Sequence, residues 1–312
     1  MKFPFCSRIL GALNVVLRQL GLELKRREKK QLSASEIWAC LIKYKVALKQ
    51  LAHEDEKHDA ETKVIWSYWA QGESNAPLIV QRCLQSVRRY SGDYRVVVLD
   101  QRSCGEYVRV PEWVSCEKTS AHFADYLRVA LLERYGGIWL DATVYLTGEM
   151  PREITGAYFC IPTSEHWKRV GIPTSERVLF ALNDIAYPRN EYMAGTNWMI
   201  VARKNCRTIH AMRLLLDAYW QGENRAVTYL FFQWLLSLAI INDAGCASEY
   251  RRMPGFDFSR PNILRFSWYG RYDSSWMTEL KTMTPIHKLS YKNLKEVPSG
   301  SVLERILAGI AL

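Results

Sequence analysis

The spacing of apolar residues changes within positions 121–141, and the change predicts a helix followed by a strand. From 121 to 135, apolar residues recur every three or four positions, as in an amphipathic helix: Phe123, Leu127, Ala130, Leu131 and Tyr135. Gly136 and Gly137 then suit the end of a helix and a tight reversal, and the apolar run 138–140 suits a short buried strand. This order of elements is typical of an α/β protein.

Three charged residues belong to this segment. Asp125 and Arg128 are three positions apart on the predicted helix, so their side chains are neighbours. Asp141 follows the strand directly. In open α/β sheets the carboxyl ends of the strands face the ligand crevice, so an acid there can hold a divalent cation or a sugar hydroxyl. The alternative interpretation is a surface ion pair between Asp125 and Arg128, with Asp141 capping a turn.

Upstream, the pattern predicts a strand over 64–69, a helix over 77–90, a turn at 91–93 and a strand over 94–99 that ends in Asp100. Such a unit gives parallel strands with a right-handed crossover, which places both strand ends on the rim that holds Asp141. Trp69 can then stack on a nucleotide base, and Asp100 can bind the base or the ribose. The alternative is that the aromatic residues of this first strand are core residues.

The second half of the chain shows fewer patterns. We predict a strand over 197–201 and buried helices over 209–220 and 227–241. The last run does not predict a membrane span, because Gln233 and Ser237 interrupt it and it is only fifteen residues long.

Composition and charge separate a basic appendage from a large domain. The 312 residues are 48% hydrophobic, enough for a large core. Residues 1–50 hold eleven Lys and Arg against three Glu, so they carry most of the net charge of +10. This confinement gives no basic face on the folded part, and no nucleic-acid partner is expected.

The first thirty residues combine an apolar stripe with cations. The stripe comprises Phe3, Phe5, Ile9, Leu13, Val16 and Leu20, and the basic run 25–30 follows it. Such a helix can lie on an anionic membrane, but polar interruptions make it too short to span one. Packing on the domain is the alternative. The apolar segment 301–312 is interpreted as a second surface anchor or an oligomer contact.

The eight cysteines show no Cys-x-x-Cys pair and no zinc-type spacing. They are interpreted as reduced thiols, which predicts a cytoplasmic protein, peripheral on the inner face of the membrane if the N-terminal helix binds lipid.

The segments Asp125-Tyr126-Leu127-Arg128 and Gly136-Gly137-Ile138-Trp139-Leu140-Asp141-Ala142-Thr143 resemble the donor-binding core of sugar transferases with an aspartate motif. This is the glycosyltransferase family 32-like group, and within it the capsular polysaccharide synthesis proteins are the most similar branch. The resemblance extends from residue 63 to about residue 287. It implies a GT-A-type nucleotide-sugar-binding fold with a mixed, mainly parallel sheet. The expected division is an appendage 1–60, a donor half 61–150, an acceptor half 151–300 and an apolar helix 301–312.

The resemblance implies a glycosyltransferase that moves a sugar, with retention, from a UDP-sugar to a glycan or lipid-linked acceptor in bacterial capsule or surface polysaccharide synthesis. Asp125, Arg128 and Asp141 are the implied catalytic residues. The implied donor-binding residues are Trp69, Asp100, Asp125, Arg128, Gly137, Asn197, His287 and Lys288. His287 and Lys288 would close over the diphosphate, although a single histidine is also often structural, and Asn197 is equally explained as a strand-edge residue.

The implied metal ligands for Mn²⁺ or Mg²⁺ are Asp141, Thr143 and His287. Many members of the wider group carry Asp-any-Asp, whereas this chain has Asp141-Ala142-Thr143 and lacks the second carboxylate. A hydroxyl is a much poorer ligand, so we expect a weaker or differently built metal site. The same departure leaves open a non-catalytic nucleotide-sugar or glycan binding protein on this fold.

Overall fold

The computed structural model describes residues 32–51, 62–114, 120–154, 158–162, 171–175, 177–178, 193–257 and 259–312. The predicted membrane-surface helix and its basic run precede residue 32 and lie outside the described residues. From Ala34 to Leu312 the chain forms one compact unit. The domain boundary near residue 60 stays a prediction.

A five-stranded sheet forms the centre of this unit. Its strands are β1 (Val64–Tyr68), β2 (Arg95–Leu99), β3 (Gly137–Leu140), β5 (Tyr158–Pro162) and β6 (Gly195–Ala202), in the order β2-β1-β3-β6-β5. The pairs β1–β2 and β1–β3 are parallel, and β6 is antiparallel to both β3 and β5. Four of the five strands therefore point the same way, which confirms the predicted mixed, mostly parallel α/β sheet.

A second sheet has two antiparallel strands, β4 (Val144–Leu146) and β7 (Ile286–Lys288), of which β4 follows β3 directly in the chain. Neither strand was predicted, because three residues are too few for an alternating pattern to show. This small sheet brings the C-terminal part of the chain to the end of β3.

Helices cover the sheet and complete the unit. Those that the structure describes are α1 (Ala34–Ile42), α2 (Leu78–Arg89), α3 (Cys104–Tyr107), α4 (Ser120–Tyr135), α5 (Arg207–Gly222), α6 (Phe231–Asn242), α7 (Ala244–Arg252), α8 (Arg260–Ser267), α9 (Ser274–Met283) and α10 (Val302–Ala308). Helix α6 begins four residues later than predicted. Within the described residues, no helix combines the length and apolar character needed to cross a bilayer.

The described part of the predicted appendage packs against the C-terminal half of the compact unit. Helix α1 and the 3-10 helix Lys43–Gln50 contact α6, and Trp38 lies 6.2 Å from Trp234 between ring centroids. Lys43 pairs with Glu223 at the end of α5, with an Nζ–Oε1 distance of 3.0 Å. For residues 34–50 the structure thus shows packing on the core.

The interpretation of 301–312 as a surface anchor does not hold for Val302, Leu303 and Ile306, whereas Ile310 is exposed. Val302, Leu303 and Ile306 of α10 are buried in one cluster with residues of α2. Ser301 caps the helix by accepting from the amide of Glu304, and Gly309 ends it with a left-handed conformation. The buried apolar side chains of this helix therefore belong to the core.

Candidate active site

The carboxyl ends of the three parallel strands meet at one rim, as the sequence predicts. Trp69 follows β1, Asp100 follows β2 and Asp141 follows β3. Because open α/β sheets bind ligands outside these ends, the rim is the candidate site.

The centre of this site is a pair of carboxylates held by one guanidinium. On α4, Arg128 Nη1 lies 3.3 Å from Asp125 Oδ1, and both side chains are only 4% exposed. Arg128 Nη2 lies 3.5 Å from Asp141 Oδ1, across the gap between α4 and β3. The helical spacing that made Asp125 and Arg128 neighbours thus also directs them to the end of β3.

Arg128 is fixed from several sides. Its Nε donates to the carbonyl of Ala124 at 3.1 Å, and Nη1 donates to the carbonyl of Asn197 in a short hydrogen bond. The rings of Trp139 and Phe232 lie 5.0 and 5.5 Å from the guanidinium carbon. A cation with this many partners and so little exposure orients its neighbours instead of reaching into solvent.

Asp125 belongs to a chain of amide contacts. Asn197 Nδ2 donates to Asp125 Oδ1 at 2.8 Å, and Gln233 Nε2 donates to Asn197 Oδ1 at 3.3 Å. Burial raises the pKa of Asp125 to about 6, against the opposing effects of Arg128 and Asn197. Gln233 was not predicted for the site, although a polar residue inside the apolar run 227–241 was a signal that could have identified it.

Asp141 is the more accessible carboxylate, with 27% of its side chain exposed. Its Oδ1 accepts from Trp139 Nε1 at 3.0 Å and its Oδ2 accepts from Lys288 Nζ at 2.8 Å. Burial alone would raise its pKa, but Lys288 and Arg128 outweigh that effect and the pKa of Asp141 lies below its ordinary value. Asp141 is therefore an anion at neutral pH.

Lys288 reaches Asp141 through the small sheet, 147 positions further along the chain. It pairs with Val144 in the β4–β7 ladder, and its Nζ also donates to Thr143 Oγ1 at 2.7 Å. The amide of Leu289 donates to the carbonyl of Thr143 at 2.9 Å, which extends the pairing beyond β7. The structure thus brings Lys288, Asp141 and Thr143 together, a grouping that the sequence did not predict.

His287 is not brought to Asp141. Successive side chains of a strand point to opposite faces, so His287 and Lys288 face opposite ways on β7. His287 is fully buried, its Nε2 lies 3.0 Å from Thr147 Oγ1, and burial lowers its pKa to about 3. Its geometry is that of a structural histidine.

Trp69 and Asp100 lie at the rim but outside the charged cluster. Trp69 is half-buried and its ring lies 5.1 Å from that of Tyr291, edge to face. Asp100 Oδ1 accepts hydrogen bonds from the backbone amides of Ser103 and Arg102, at 2.8 and 2.9 Å. These hydrogen bonds lower the pKa of Asp100, and the bond from Ser103 has the largest effect. Tyr291 is three positions after Lys288, so their Cα atoms are about 11 Å apart at most, and the aromatic pair lies near the charged cluster.

Gly137 allows close packing of two strands in the central sheet. Its φ is +101°, and an added Cβ would lie 2.5 Å from the carbonyl oxygen of Val64 on β1. Only glycine allows β3 to approach β1 this closely, which is a sufficient reason for its presence. Its predicted role in donor binding stays a prediction.

The residues predicted to bind a divalent cation do not fit one. No group of three metal-binding side chains occurs among the described residues. Asp141 already accepts from Lys288, Thr143 Oγ1 accepts from the same ammonium, and His287 faces away. One partly exposed carboxylate that contacts two cations is a poor donor set for Mn²⁺ or Mg²⁺.

The fold and the cluster define an α/β protein with a charged candidate site at the carboxyl end of a mostly parallel sheet. The family model described as "Capsular polysaccharide synthesis protein" matches residues 20–306, and the chain belongs to this family. That result confirms the resemblance at the family level. The relation to the family 32-like group stays a prediction.

Two fungal proteins are similar to part of the chain. One is named "Glycosyltransferase afumC", from Aspergillus fumigatus, and is 33% identical over 103 residues, which cover 28% of this chain and 26% of that protein. The other is named "O-glycosyltransferase braB", from Annulohypoxylon truncatum, and is 33% identical over 98 residues, covering 27% and 23%. The chain thus spans about a quarter of the length of these relatives. No solved structure matches the chain.

Proposed function

We propose that the protein is a glycosyltransferase that moves a sugar from a nucleotide diphosphate, a UDP-sugar, to a glycan or lipid-linked acceptor in capsule or surface polysaccharide synthesis. The family and the names of the two relatives support transfer of a sugar. The single observation that carries the proposal is the position of Asp141 and Lys288, one anion and one cation at the carboxyl ends of parallel strands.

The exposed part of the cluster suits a donor with hydroxyls and a diphosphate. The carboxylate of Asp141 accepts hydrogen bonds from hydroxyls of the sugar, and the ammonium of Lys288 donates hydrogen bonds to phosphate oxygens. Asp125 and Arg128 are too buried to lie against the sugar in this structure, and their role is to hold Asp141 in place. Trp69 and Asp100, at the same rim, bind the base and the ribose, and Asn197 acts through Asp125.

In the proposed reaction the bond between the anomeric carbon and the diphosphate oxygen breaks, and its electron pair leaves with UDP. The acceptor hydroxyl oxygen forms the new bond to that carbon, and its proton is released. Negative charge grows on the diphosphate, so a fixed cation beside it lowers the barrier. A GT-A-type fold and retention of configuration are part of the proposal.

The test is UDP release from a panel of UDP-sugars, comparing the wild-type protein with Asp141→Asn, with and without Mn²⁺. We expect release from one sugar and a loss of about a hundredfold or more in the variant, since it loses the charge that contacts the donor. Asp93→Asn is the matched control, because Asp93 is an exposed carboxylate before the other end of β2. Equal release by wild type and Asp141→Asn would contradict the proposal.

The second candidate is a non-catalytic nucleotide-sugar or glycan binding protein on the same fold. Thr143, in place of a second carboxylate, favours it. This candidate predicts tight UDP binding with no release from any UDP-sugar, whatever acceptor is added. A cytoplasmic location, peripheral contact with an anionic membrane and the lack of a nucleic-acid partner stay predictions, since the basic segment lies outside the described residues.

A further inference from the structure

Lys288 lies where a cation shared by positions 141 and 143 would lie. Its Nζ is 2.8 Å from Asp141 Oδ2 and 2.7 Å from Thr143 Oγ1, so one ammonium bridges the first and third positions of the Asp-Ala-Thr segment. The two side chains that would offer oxygen ligands to a metal are therefore bonded to a protein cation.

The charge at the cluster is already balanced. Asp125 and Asp141 carry the two carboxylates, and Arg128 and Lys288 carry the two cations within hydrogen-bonding or ion-pair distance of them. A divalent cation at Asp141 would meet two positive side chains and only one accessible carboxylate. Repulsion at such distances in a partly buried site is strong, so Lys288 and a metal exclude each other.

The ammonium keeps capacity for a ligand. It carries three hydrogens, two of which form hydrogen bonds to Asp141 and Thr143. The Lys288 side chain is 20% exposed. Its position is set by the β4–β7 ladder and by the ring of Trp198, whose centroid is 5.8 Å from Nζ. A held ammonium of this kind can donate its third hydrogen to a phosphate oxygen without reorganisation.

We propose that Lys288 binds the diphosphate of the nucleotide in place of a divalent cation, so that donor binding needs no metal. This inference rests on the proposed function, because it assumes a nucleotide diphosphate as ligand. It assigns the charge neutralisation of the diphosphate to the chain itself, and it explains why Thr143 is tolerated where a carboxylate would be needed for a metal.

The test is calorimetric titration of the full chain with UDP, in excess EDTA and separately with Mn²⁺. We expect the same Kd in both conditions. The amount of bound Mn²⁺, measured by the loss of the electron paramagnetic resonance signal of free Mn²⁺, should be no greater with protein and UDP together than with UDP alone. UDP binding that appears only with Mn²⁺ would overturn the inference and leave the proposed function standing. No UDP binding by the wild type in either condition would overturn both.

Lys288→Met and Lys281→Met form a matched pair for the same titration. Lys281 is exposed in the last turn of α9 and takes part in none of the contacts described above for the cluster. A charge-assisted hydrogen bond is worth enough that Lys288→Met should weaken UDP binding about tenfold or more in EDTA, whereas Lys281→Met should leave it unchanged. Wild-type affinity in Lys288→Met would overturn the inference. Far-ultraviolet circular dichroism identifies a misfolded variant, in which case the wild-type titrations decide.

Discussion

Arg128 is the partner on which the buried carboxylates depend, and its replacement by methionine tests that dependence. Methionine keeps an apolar stem between the rings of Trp139 and Phe232 but removes the charge. Asp125, which is almost fully buried, would then lack its cation. Removing one member of a buried ion pair costs about 3–5 kcal/mol, so Arg128→Met should lower the free energy of unfolding by that amount at neutral pH.

The loss should depend on pH in a defined direction. Burial already raises the pKa of Asp125 to about 6, and Arg128 opposes that rise, so the pKa should be still higher in the variant. A carboxyl group with a raised pKa in the folded state binds its proton more tightly when folded, so stability is lost as pH rises through that pKa. The deficit of Arg128→Met should therefore be largest above neutral pH and shrink towards about pH 5.

The assay is urea unfolding followed by circular dichroism, at about pH 5 and about pH 8, with free energies from linear extrapolation. Arg213→Met is the matched control: Arg213 pairs with Glu133 and Asp217 but remains 23% exposed, so its loss should be about 1 kcal/mol or less. A loss below about 1 kcal/mol for Arg128→Met, or an equal loss at both pH values, would refute the reasoning.

Two further predictions concern the same strand ends. Gly137→Ala should lower the free energy of unfolding by about 3 kcal/mol, because φ is positive and the new Cβ would lie 2.5 Å from a backbone oxygen. The control Gly92→Ala, which has a positive φ but open space around the Cβ, should lower it less. Equal shifts in Tm for the two variants would contradict this prediction. Asn197→Asp would place a second carboxylate 2.8 Å from Asp125. The free energy of unfolding in urea should therefore fall relative to wild type, and the deficit should grow from about pH 5 to about pH 8. A deficit that does not change with pH would count against this prediction.

Local pattern was enough for the elements that begin the site. The apolar period of 121–135, the double glycine and the short apolar run predicted α4 and β3 close to their observed bounds. The rule for strand-helix-strand units placed β1 and β2 parallel. These predictions hold because helix period, glycine conformation and crossover geometry are properties of neighbouring residues.

The sequence by itself could not show the exposure of the predicted site residues. Asp125 and Arg128 were expected to contact a ligand together, and the structure turns them towards each other in the interior. Gln233 joins them through Asn197, from a helix in which it interrupts a run of apolar residues. Burial depends on which helices cover α4, and that is decided by packing between segments more than sixty positions apart.

Chain pattern thus determined the α/β class, the order of the first strands and the carboxylate at the end of β3. Tertiary structure alone decided which cation reaches that carboxylate. In the β4–β7 ladder, a shift of one residue would exchange His287 and Lys288, and the observed register turns Lys288 to Asp141 and buries His287. The physical reason is that strand register depends on the pairing partner, which local sequence does not contain.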